Sequence, residues 1–373
     1  MLTRRRNEVD VDRVRTAVRA VHDPELGRPL AELDMLGDVQ ARRGRVRVVV
    51  RLTTASCPLA EELRHAVSTA VSGVDGVRAV DVSFVTMPPR ERAELGERLR
   101  AETPPLRGGL GGGPAIYAIA SGKGGVGKST VTANLAATLA AAGKRVGVLD
   151  ADVWGYSIPK LFGVSRSPVV LGERMLPVPA HGVALMSVGF FVTENDPVVW
   201  RGPMLHKALS QFVTDTQWGP LDALFVDLPP GTGDATLSLL ELLPDAVLLV
   251  VTTPQLTARS VASRVVHMVA DSGGTVAGVV ENMSSSVCQC CGAVNAVFGS
   301  EGGALLAEEA GVPLLGRVPL DAELREAGDR GLPVVLGSPD ATSARELAGI
   351  AAGLPTPRRS LARRPLPLSV VSR

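Results

Sequence analysis

The sequence predicts an α/β protein in which a mostly parallel, doubly wound sheet is preceded by a small α+β domain. Three features of the 373-residue chain support this fold class. After residue 115, short and almost entirely apolar runs alternate with helical segments, which is typical of a parallel sheet covered on both faces. A glycine-rich turn follows the first of these runs. A segment rich in glycine and proline separates them from the N-terminal part of the chain.

Residues 1–88 are predicted to form the small α+β domain, and residues 89–114 form the linker that follows it. Within the domain, apolar residues at helical spacing alternate with runs typical of strands. The linker is charged and predicted to be helical at 89–102, then flexible and rich in glycine at 104–114. The predicted elements of the domain are a helix at 9–21, strands at 36–42 and 46–53, a helix at 59–71 and a strand at 77–85.

Residues 115–354 are predicted to form the larger domain. Its apolar runs contain few charges, as expected of strands that are buried on both faces. Residues 355–373 are rich in proline and arginine, and we expect them to be disordered. The predicted strands of the larger domain lie at 115–120, 145–150, 183–188, 223–227, 246–252, 276–281 and 314–318.

Charge and cysteine content limit the possible partners and the compartment. The formal net charge of +1 argues against general binding to nucleic acid or to a membrane surface, since both favour a basic protein. The N-terminus has no apolar run typical of a signal peptide, and no segment approaches the roughly 18 apolar residues of a membrane helix. The four cysteines, three of them between 288 and 291, do not form a disulfide framework. We therefore expect a cytoplasmic protein without nucleic-acid or membrane partners.

Two nucleotide-binding motifs overlap in the glycine-rich turn at 122–129. The spacing of its glycines matches a dinucleotide fingerprint, and Asp150 lies at about the expected distance of 20 residues. The turn also matches G-x-x-x-x-G-K-S, in which Lys128 neutralises the β/γ-phosphates and the Ser129 hydroxyl reaches Mg²⁺. A dinucleotide site needs neither residue, so the sequence favours a P-loop that binds ATP with Mg²⁺. The predicted nucleotide-binding residues are Gly122, Lys123, Gly124, Gly125, Val126, Gly127, Lys128, Ser129 and Thr130.

A second strand ends in a carboxylate and supports the P-loop interpretation. Residues 224–227 form an apolar run that ends at Asp227, and the glycine-containing segment 229–233 follows it. Parallel strands end at the same edge of a sheet, so this carboxylate is predicted to face the magnesium ion of the nucleotide. ATP hydrolysis is the activity that this combination predicts.

The loop resembles the deviant phosphate loops of the MinD/ParA superfamily, because Lys123 follows its first glycine and Asp150-Ala151-Asp152 ends a later strand. The resemblance implies that Lys123 reaches the nucleotide of the partner in a homodimer, and that Asp152 polarises the attacking water. An exposed lysine without this role is the alternative for Lys123. The resemblance thus implies catalytic roles for Lys123, Lys128 and Asp152, with Ser129, Asp152 and Asp227 around Mg²⁺.

Longer motifs between residues 115 and 336 are similar to a narrower group. They occupy residues 150–159, 199–204, 227–234 and 280–284, and a Cys-x-x-Cys follows. Together they resemble the Mrp/ApbC family of iron–sulfur cluster carrier ATPases, although Tyr156 replaces the usual proline. This resemblance implies a carrier that binds a [4Fe–4S] cluster and transfers it to apoproteins, with assembly scaffolds as further partners. By the same resemblance, Asn282 contacts the nucleotide base.

The N-terminal domain resembles a small domain that is often fused to this family. Asp23-Pro24-Glu25 and the Thr53-to-Pro58 segment carry the resemblance, and the domain also occurs alone in iron–sulfur assembly factors. Cys57 precedes a predicted helix, where the N-terminus of the helix would stabilise a thiolate. Cys57 is therefore a candidate transfer thiol, and a small buried thiol is the alternative.

Cys288 and Cys291 provide two ligands, whereas a tetrahedral Zn²⁺ or a [4Fe–4S] cluster needs four. No second Cys-x-x-Cys occurs in the sequence, so a site shared by two chains of a homodimer would complete the set. Zn²⁺ in the same site and a thioredoxin-like redox pair remain alternatives to the cluster. Cys290 is either a spectator or a residue that makes the site easier to oxidise.

Two other functions remain open at the level of sequence. One is a MinD/ParA-like dimer switch driven by nucleotide, with a structural zinc site in place of a cluster. Such a protein needs a membrane-binding helix or a basic surface, and the prolines of residues 355–373 oppose a continuous helix. The other is a reductase that passes electrons through the shared cluster to a docked enzyme.

Overall fold

The computed structural model describes residues 9–24, 26–53, 59–102, 113–192, 202–288 and 290–355. Cys57, residues 103–112 of the linker, residues 199–201 of a family motif and the tail beyond 355 lie outside them. The described residues form two compact units. The first comprises the described residues up to 102 with Arg166–Pro179 and Asp215–Gly219, and the second comprises the rest. The predicted bounds of the domains, the linker and the tail remain predictions.

The helices and strands are numbered here in chain order. They are α1 (Val11–Arg19), β1 (Leu36–Arg42), β2 (Arg45–Leu52), α2 (Ala60–Ser72), β3 (Ala79–Thr86), α3 (Pro89–Glu102), β4 (Ala115–Ser121), α4 (Lys128–Ala141), β5 (Val146–Asp150), α5 (Ile158–Leu161), β6 (Val169–Leu171), β7 (Arg174–Leu176), β8 (Val178–Ala180), β9 (Val183–Ser187), α6 (Gly202–Thr214), β10 (Ala223–Asp227), α7 (Asp234–Leu242), β11 (Val247–Thr252), α8 (Leu256–Asp271), β12 (Thr275–Val287), β13 (Val294–Asn295), α9 (Gly302–Ala310), β14 (Leu314–Leu320), α10 (Ala322–Asp329), α11 (Val334–Gly337) and α12 (Thr342–Ala352).

The first unit is built on a three-stranded sheet of described residues in the order β1-β2-β3. β1 is antiparallel to β2, and β2 is parallel to β3. Alternate residues of β2, namely Val46, Val48 and Val50, are buried in a core that they share with α1 and α2. This alternation is expected of a sheet with one covered face, because successive side chains point to opposite sides. The antiparallel pair β6 and β7 belongs to the same unit.

The second unit contains a sheet of described residues in the order β13-β12-β11-β4-β10-β5-β9, with β14 paired to β12. The central strands β12, β11, β4, β10, β5 and β9 are parallel. Asp227 at the end of β10 pairs with Asp150 at the end of β5 and with Ile119 of β4. The register therefore places two carboxylates beside the loop that follows β4.

The predicted α/β class with a mostly parallel sheet and a small N-terminal α+β domain is confirmed. The predicted runs at 36–42, 89–102 and 223–227 coincide with β1, α3 and β10. β12 was predicted to end at 281 but continues to Val287, and the short strands β6, β7, β8 and β13 were not predicted. No helix of the described residues is long and apolar enough to cross a membrane.

Two glycines allow the packing of the second unit to be tested with a matched pair of substitutions. A Cβ at Gly278 in β12 would lie 2.6 Å from Cγ of Leu315 and 2.8 Å from the carbonyl oxygen of Pro313. Gly278→Ala should therefore lower the free energy of unfolding by about 1–3 kcal/mol through overpacking. Gly349 in α12 has no atom within 4 Å of its Cβ position, so Gly349→Ala should raise stability by about 0.5–1 kcal/mol. Urea titration measures both; equal effects would contradict this packing.

Candidate functional site

The phosphate-binding loop connects β4 to α4. Gly122 is packed against α8, where a Cβ would lie 2.4 Å from the backbone nitrogen of Ala262. Gly124 and Gly125 are exposed and have no neighbouring atom within 4 Å of their Cβ positions. Gly127 precedes α4 with a φ of 83°, and no side chain caps the helix. The loop thus offers exposed backbone at the N-terminus of a helix, which suits a phosphate group.

Asp227 is the fully buried centre of the site. The ammonium group of Lys128 lies 2.8 Å from its Oδ2, and the hydroxyl of Ser129 donates to the same oxygen. The hydroxyl of Thr132 lies within hydrogen-bond distance of two acceptors, Oδ1 of Asp227 at 2.8 Å and the carbonyl of Lys128 at 2.9 Å. The first turn of α4 therefore supplies a cation and two hydroxyls to one carboxylate. A buried charge needs such partners, because its desolvation is otherwise uncompensated.

Asp152 contacts the same lysine. Its Oδ2 is 3.5 Å from Nζ of Lys128, and its Oδ1 accepts the N–H of Gly155 at 3.0 Å. Asp152, Ser129 and Asp227 thus gather around Lys128, and their hydroxyl and carboxylate oxygens are the ligand types that Mg²⁺ prefers. The structure brings together the three residues expected at the magnesium ion.

Asp150 anchors the segment that carries Asp152. One of its oxygens accepts the N–H of Asp152 at 3.2 Å. The other accepts the N–H of Ile158 at 3.2 Å and the hydroxyl of Ser187 at 2.9 Å. Both ends of the segment 152–158 are therefore held by one buried carboxylate.

The pKa of Asp150 is shifted mainly by the burial of its carboxylate. Burial raises the pKa of Asp150, and the negative charge of Asp227 adds to the rise. The ammonium of Lys128 and the hydroxyl of Ser187 oppose it. Three carboxylates, those of Asp150, Asp152 and Asp227, lie near the single ammonium of Lys128, so the hydrogen bonds to Asp150 help to offset its burial.

Lys123 and Thr130 lie at the edges of the loop. Lys123 is half-buried and, within the part of the chain that the structure describes, no carboxylate lies within 4.0 Å of it. Thr130 is half-buried in the first turn of α4, where its carbonyl accepts the side-chain amide of Asn134 at 2.9 Å. The ammonium of Lys123 therefore forms no ion pair with a described acidic residue, unlike that of Lys128.

Asn282 supports the phosphate loop from β12. Its side-chain amide donates to the carbonyl of Val126 at 2.8 Å, and only 4% of the residue is exposed. A Cβ at Gly127 would lie 2.1 Å from this amide nitrogen, so the close approach requires glycine. The expected contact of Asn282 with the base stays a prediction, and the structure adds a contact with the loop that the sequence did not reveal.

The cysteines occupy the tip of the hairpin formed by β12 and β13. Val287 pairs with Val294 across the two strands, and the next residue, Cys288, donates its N–H to the carbonyl of Ala293 at 2.9 Å. The N–H of Gly292 closes the turn on the carbonyl of Cys288 at 2.8 Å. Cys288 is half-buried, whereas Cys290 and Cys291 are exposed, and all three are free thiols.

The turn stabilises the thiolate form of Cys288. The backbone N–H groups of Cys290 and Cys291 donate to its sulfur, followed by the two thiols, and these bonds lower the pKa of Cys288. Thiolates are the ligands of zinc and of iron–sulfur clusters, so this geometry fits either group. Among the described residues, no group of three or more His, Cys, Asp or Glu side chains is arranged to hold a metal ion.

Several contributors to the site were not identified from the sequence. Thr132, Ser187 and the tethering role of Asp150 emerged only with the fold. Glu281 was also missed: its buried carboxylate accepts the N–H of Gly303 at 2.6 Å and pairs with Arg317 at 3.1 Å. A charged residue inside the apolar run of β12 was the available signal.

Comparison with known proteins identifies the family. Residues 114–354 match the family described as NUBPL iron-transfer P-loop NTPases, and residues 11–84 match iron–sulfur cluster assembly proteins. The iron–sulfur cluster carrier protein of Mycobacterium tuberculosis is 48% identical over 359 residues, which cover 94% of each chain. This chain belongs to the iron–sulfur cluster carrier family. The resemblance predicted from the motifs is thereby confirmed.

Other comparisons agree with this assignment. The carrier protein of Bacillus subtilis is 42% identical, and the alignment covers 83% of this chain and 88% of the relative. A nucleotide-binding protein of Archaeoglobus fulgidus, solved in complex with ADP, is 36% identical. The superposition covers 58% of this chain and 86% of the Archaeoglobus fulgidus chain, with a TM-score of 0.52. The second unit is therefore a P-loop NTPase domain of the carrier family.

Asn282 allows its two expected roles to be separated. Asn282→Ala removes a buried hydrogen bond to the loop. The binding free energies of ADP and GDP should therefore both weaken, by about 1–3 kcal/mol. Calorimetric titration of both nucleotides, with Ser286→Ala on the same strand as control, measures the change. A loss confined to the adenine nucleotide would instead favour a contact with the base and contradict the role in supporting the loop.

Proposed function

We propose that this protein binds and hydrolyses ATP and carries a [4Fe–4S] cluster, which two copies hold between them and deliver to apoproteins. One observation carries the proposal. β12 contacts the phosphate loop through Asn282 and ends at the hairpin that carries the half-buried Cys288 and the exposed Cys291. A single strand therefore connects the nucleotide site to a pair of cluster-binding thiols. Assembly scaffolds are the proposed source of the cluster.

The nucleotide half of the proposal rests on the residues around Asp227. The β/γ-phosphates compete with Asp227 and Asp152 for the ammonium of Lys128, and the exposed loop backbone cradles them. Mg²⁺, when bound, would neutralise the negative charge of these phosphates. Ser129 and Asp227 are its proposed ligands. Asp152, held by Asp150, orients the attacking water, and Lys123 reaches the nucleotide of the partner copy.

The cluster half rests on the cysteine hairpin. One chain supplies two thiolates in the Cys-x-x-Cys pair, and a cubane cluster takes four. A second copy completes the set, and the surface around the tip suits such a contact. Val287, Val294 and Val297 flank the cysteines with 47%, 69% and 58% of their surfaces exposed. Val287 and Val294 are paired across the hairpin, so their exposed side chains offer apolar surface that a second copy could cover.

Lys128 and Asp152 should separate binding from hydrolysis. Lys128→Ala should abolish nucleotide binding, because the loop loses its principal cation and Asp227 loses a buried partner. Asp152→Ala should retain ATP affinity but lower the hydrolysis rate by about 10²-fold or more, as expected for a water-positioning group. Equilibrium binding and phosphate release measure the two effects. Near-normal turnover in the Asp152 variant would exclude this residue from catalysis.

The cargo is tested by loading the protein without oxygen. After reconstitution with iron and sulfide, the wild-type protein should hold one [4Fe–4S] cluster per dimer, as measured by iron content, sulfide content and absorption. Cys288→Ser should reduce the iron content about tenfold or more, because each dimer loses two of four ligands. Ser286→Ala, two residues away on the same strand, should load normally.

Binding of zinc in place of iron and sulfide would overturn the proposed [4Fe–4S] cluster. If anaerobically purified protein holds stoichiometric Zn²⁺ and cannot be loaded with iron and sulfide, the cysteines form a structural clasp. The protein would then be a nucleotide-driven dimer switch of the MinD/ParA type. ATP hydrolysis that persists in the Cys288 variant would show that the nucleotide site is intact in either case.

A further inference from the structure

The segment 152–158, which carries Asp152, is packed against a neighbouring turn by an aromatic ring. The ring of Tyr156 lies against Gly189, in the 3₁₀ turn Val188–Phe190 that follows β9. A Cβ at Gly189 would lie 2.3 Å from Cδ2 of this ring and 2.8 Å from its Cγ. The φ of Gly189 is outside the left-handed region, so its backbone alone does not require glycine. The contact with Tyr156 therefore explains why this position has no side chain.

The turn that carries Gly189 is itself tied to Asp150. The hydroxyl of Ser187 donates to Oδ2 of Asp150 at 2.9 Å and accepts the N–H of Gly189 at 3.0 Å. The same carboxylate accepts the N–H groups of Asp152 and Ile158. Asp150 thus fixes both ends of the segment and, through Ser187, the turn on which the ring rests.

The middle of the segment determines the orientation of Asp152. The N–H of Gly155 donates to Oδ1 of Asp152 at 3.0 Å, and Oδ2 of Asp152 is 3.5 Å from Nζ of Lys128. Trp154, which precedes Gly155, is 71% exposed, so its side chain gives this part of the segment little support. Tyr156 follows Gly155, and its half-buried ring packs on a different element. The ring contact therefore sets the position of the N–H group that orients Asp152.

We propose that Tyr156 is a positioning residue that orients Asp152 through Gly155, an inference that rests on the proposed hydrolysis of ATP. Tyrosine needs such a contact, because it does not fix its own backbone φ as the proline of the similar motif would. A catalytic group must be held within about 0.5 Å of its productive geometry, and a displacement of about 1 Å can slow a reaction about 10²-fold. Loss of the ring should therefore slow hydrolysis, while Lys128 and the phosphate loop still bind ATP.

Substitutions on both sides of the contact test this role. Tyr156→Phe keeps the ring, so its kcat should stay within about twofold of the wild-type value. Tyr156→Ala should lower kcat about tenfold or more while ATP affinity changes less than about twofold. Gly189→Ala should cause a similar loss, because its methyl group would occupy the position of the ring. The double variant should be no slower than the slower single variant, since both changes break one contact, whereas independent effects would multiply.

Phe191→Ala is the matched control. Phe191 directly follows the same turn, and its ring stacks on Phe212 with the centroids 5.4 Å apart. Its removal deletes an aromatic ring beside the turn but not the contact with Gly189, so kcat should not change. Hydrogen exchange of the nucleotide-free protein gives a readout that does not depend on activity. The amides of residues 152–158 should exchange about tenfold faster in Tyr156→Ala than in wild type or in Phe191→Ala.

The outcomes distinguish this inference from the function on which it rests. A wild-type kcat in Tyr156→Ala overturns the inference, and so does a loss of ATP affinity equal to the loss of kcat. If circular dichroism shows that Tyr156→Ala is unfolded, Gly189→Ala decides in its place. If the wild type does not hydrolyse ATP, the proposed function fails and hydrogen exchange decides. Faster exchange at 152–158 then supports the positioning of Asp152 by the ring, and unchanged exchange rejects it.

Discussion

The buried carboxylate of Asp227 is the interaction on which the rest of the site depends. It has no exposed surface, and its two oxygens receive the lysine and two hydroxyls of the first helical turn after the phosphate loop. Removing one partner from a buried ion pair typically costs about 3–5 kcal/mol, because the remaining charge stays desolvated. The start of α4 is therefore fixed to the end of β10. The loop before it is fixed as well, since it must join β4 to that helix.

A second set of contacts holds the loop from the opposite side. Asn282 binds the carbonyl of Val126, and the adjacent Glu281 ties β12 to α9 and β14 through Gly303 and Arg317. Glu281 is almost fully buried, so these hydrogen bonds also satisfy a charge that would otherwise be costly. The phosphate loop lies between two anchored strands, and its exposed glycines are the part left free to meet a ligand.

The sequence predicted the parallel strands well, because each contains an apolar run that no helical or turn pattern obscures. β10 is completely buried, and its bounds matched the prediction. The short strands β6, β7 and β8 could not be predicted, since three residues carry no usable periodicity. The polar run Ser284-Ser285-Ser286 hid the second half of β12. The residues of the P-loop were predictable from their spacing. The contacts of Asn282 and Asp150 were not, because they depend on which backbone groups the folded chain brings within reach.

The course of β12 has a consequence for how such a protein can change. Between the pairs Asn282–Val318 and Ser286–Leu320, three residues of β12 lie opposite one residue of β14, and Met283 adopts a φ of 56°. This bulge interrupts the pairing just after the last residue that contacts the loop. Beyond it, the strand pairs with the two residues of β13 and with Leu320 alone. The tip of the hairpin is thus joined to the nucleotide-binding unit through a strand that keeps few pairing partners. A hairpin of different sequence could be grafted after the bulge. The same nucleotide-binding unit could then act with a different bound group.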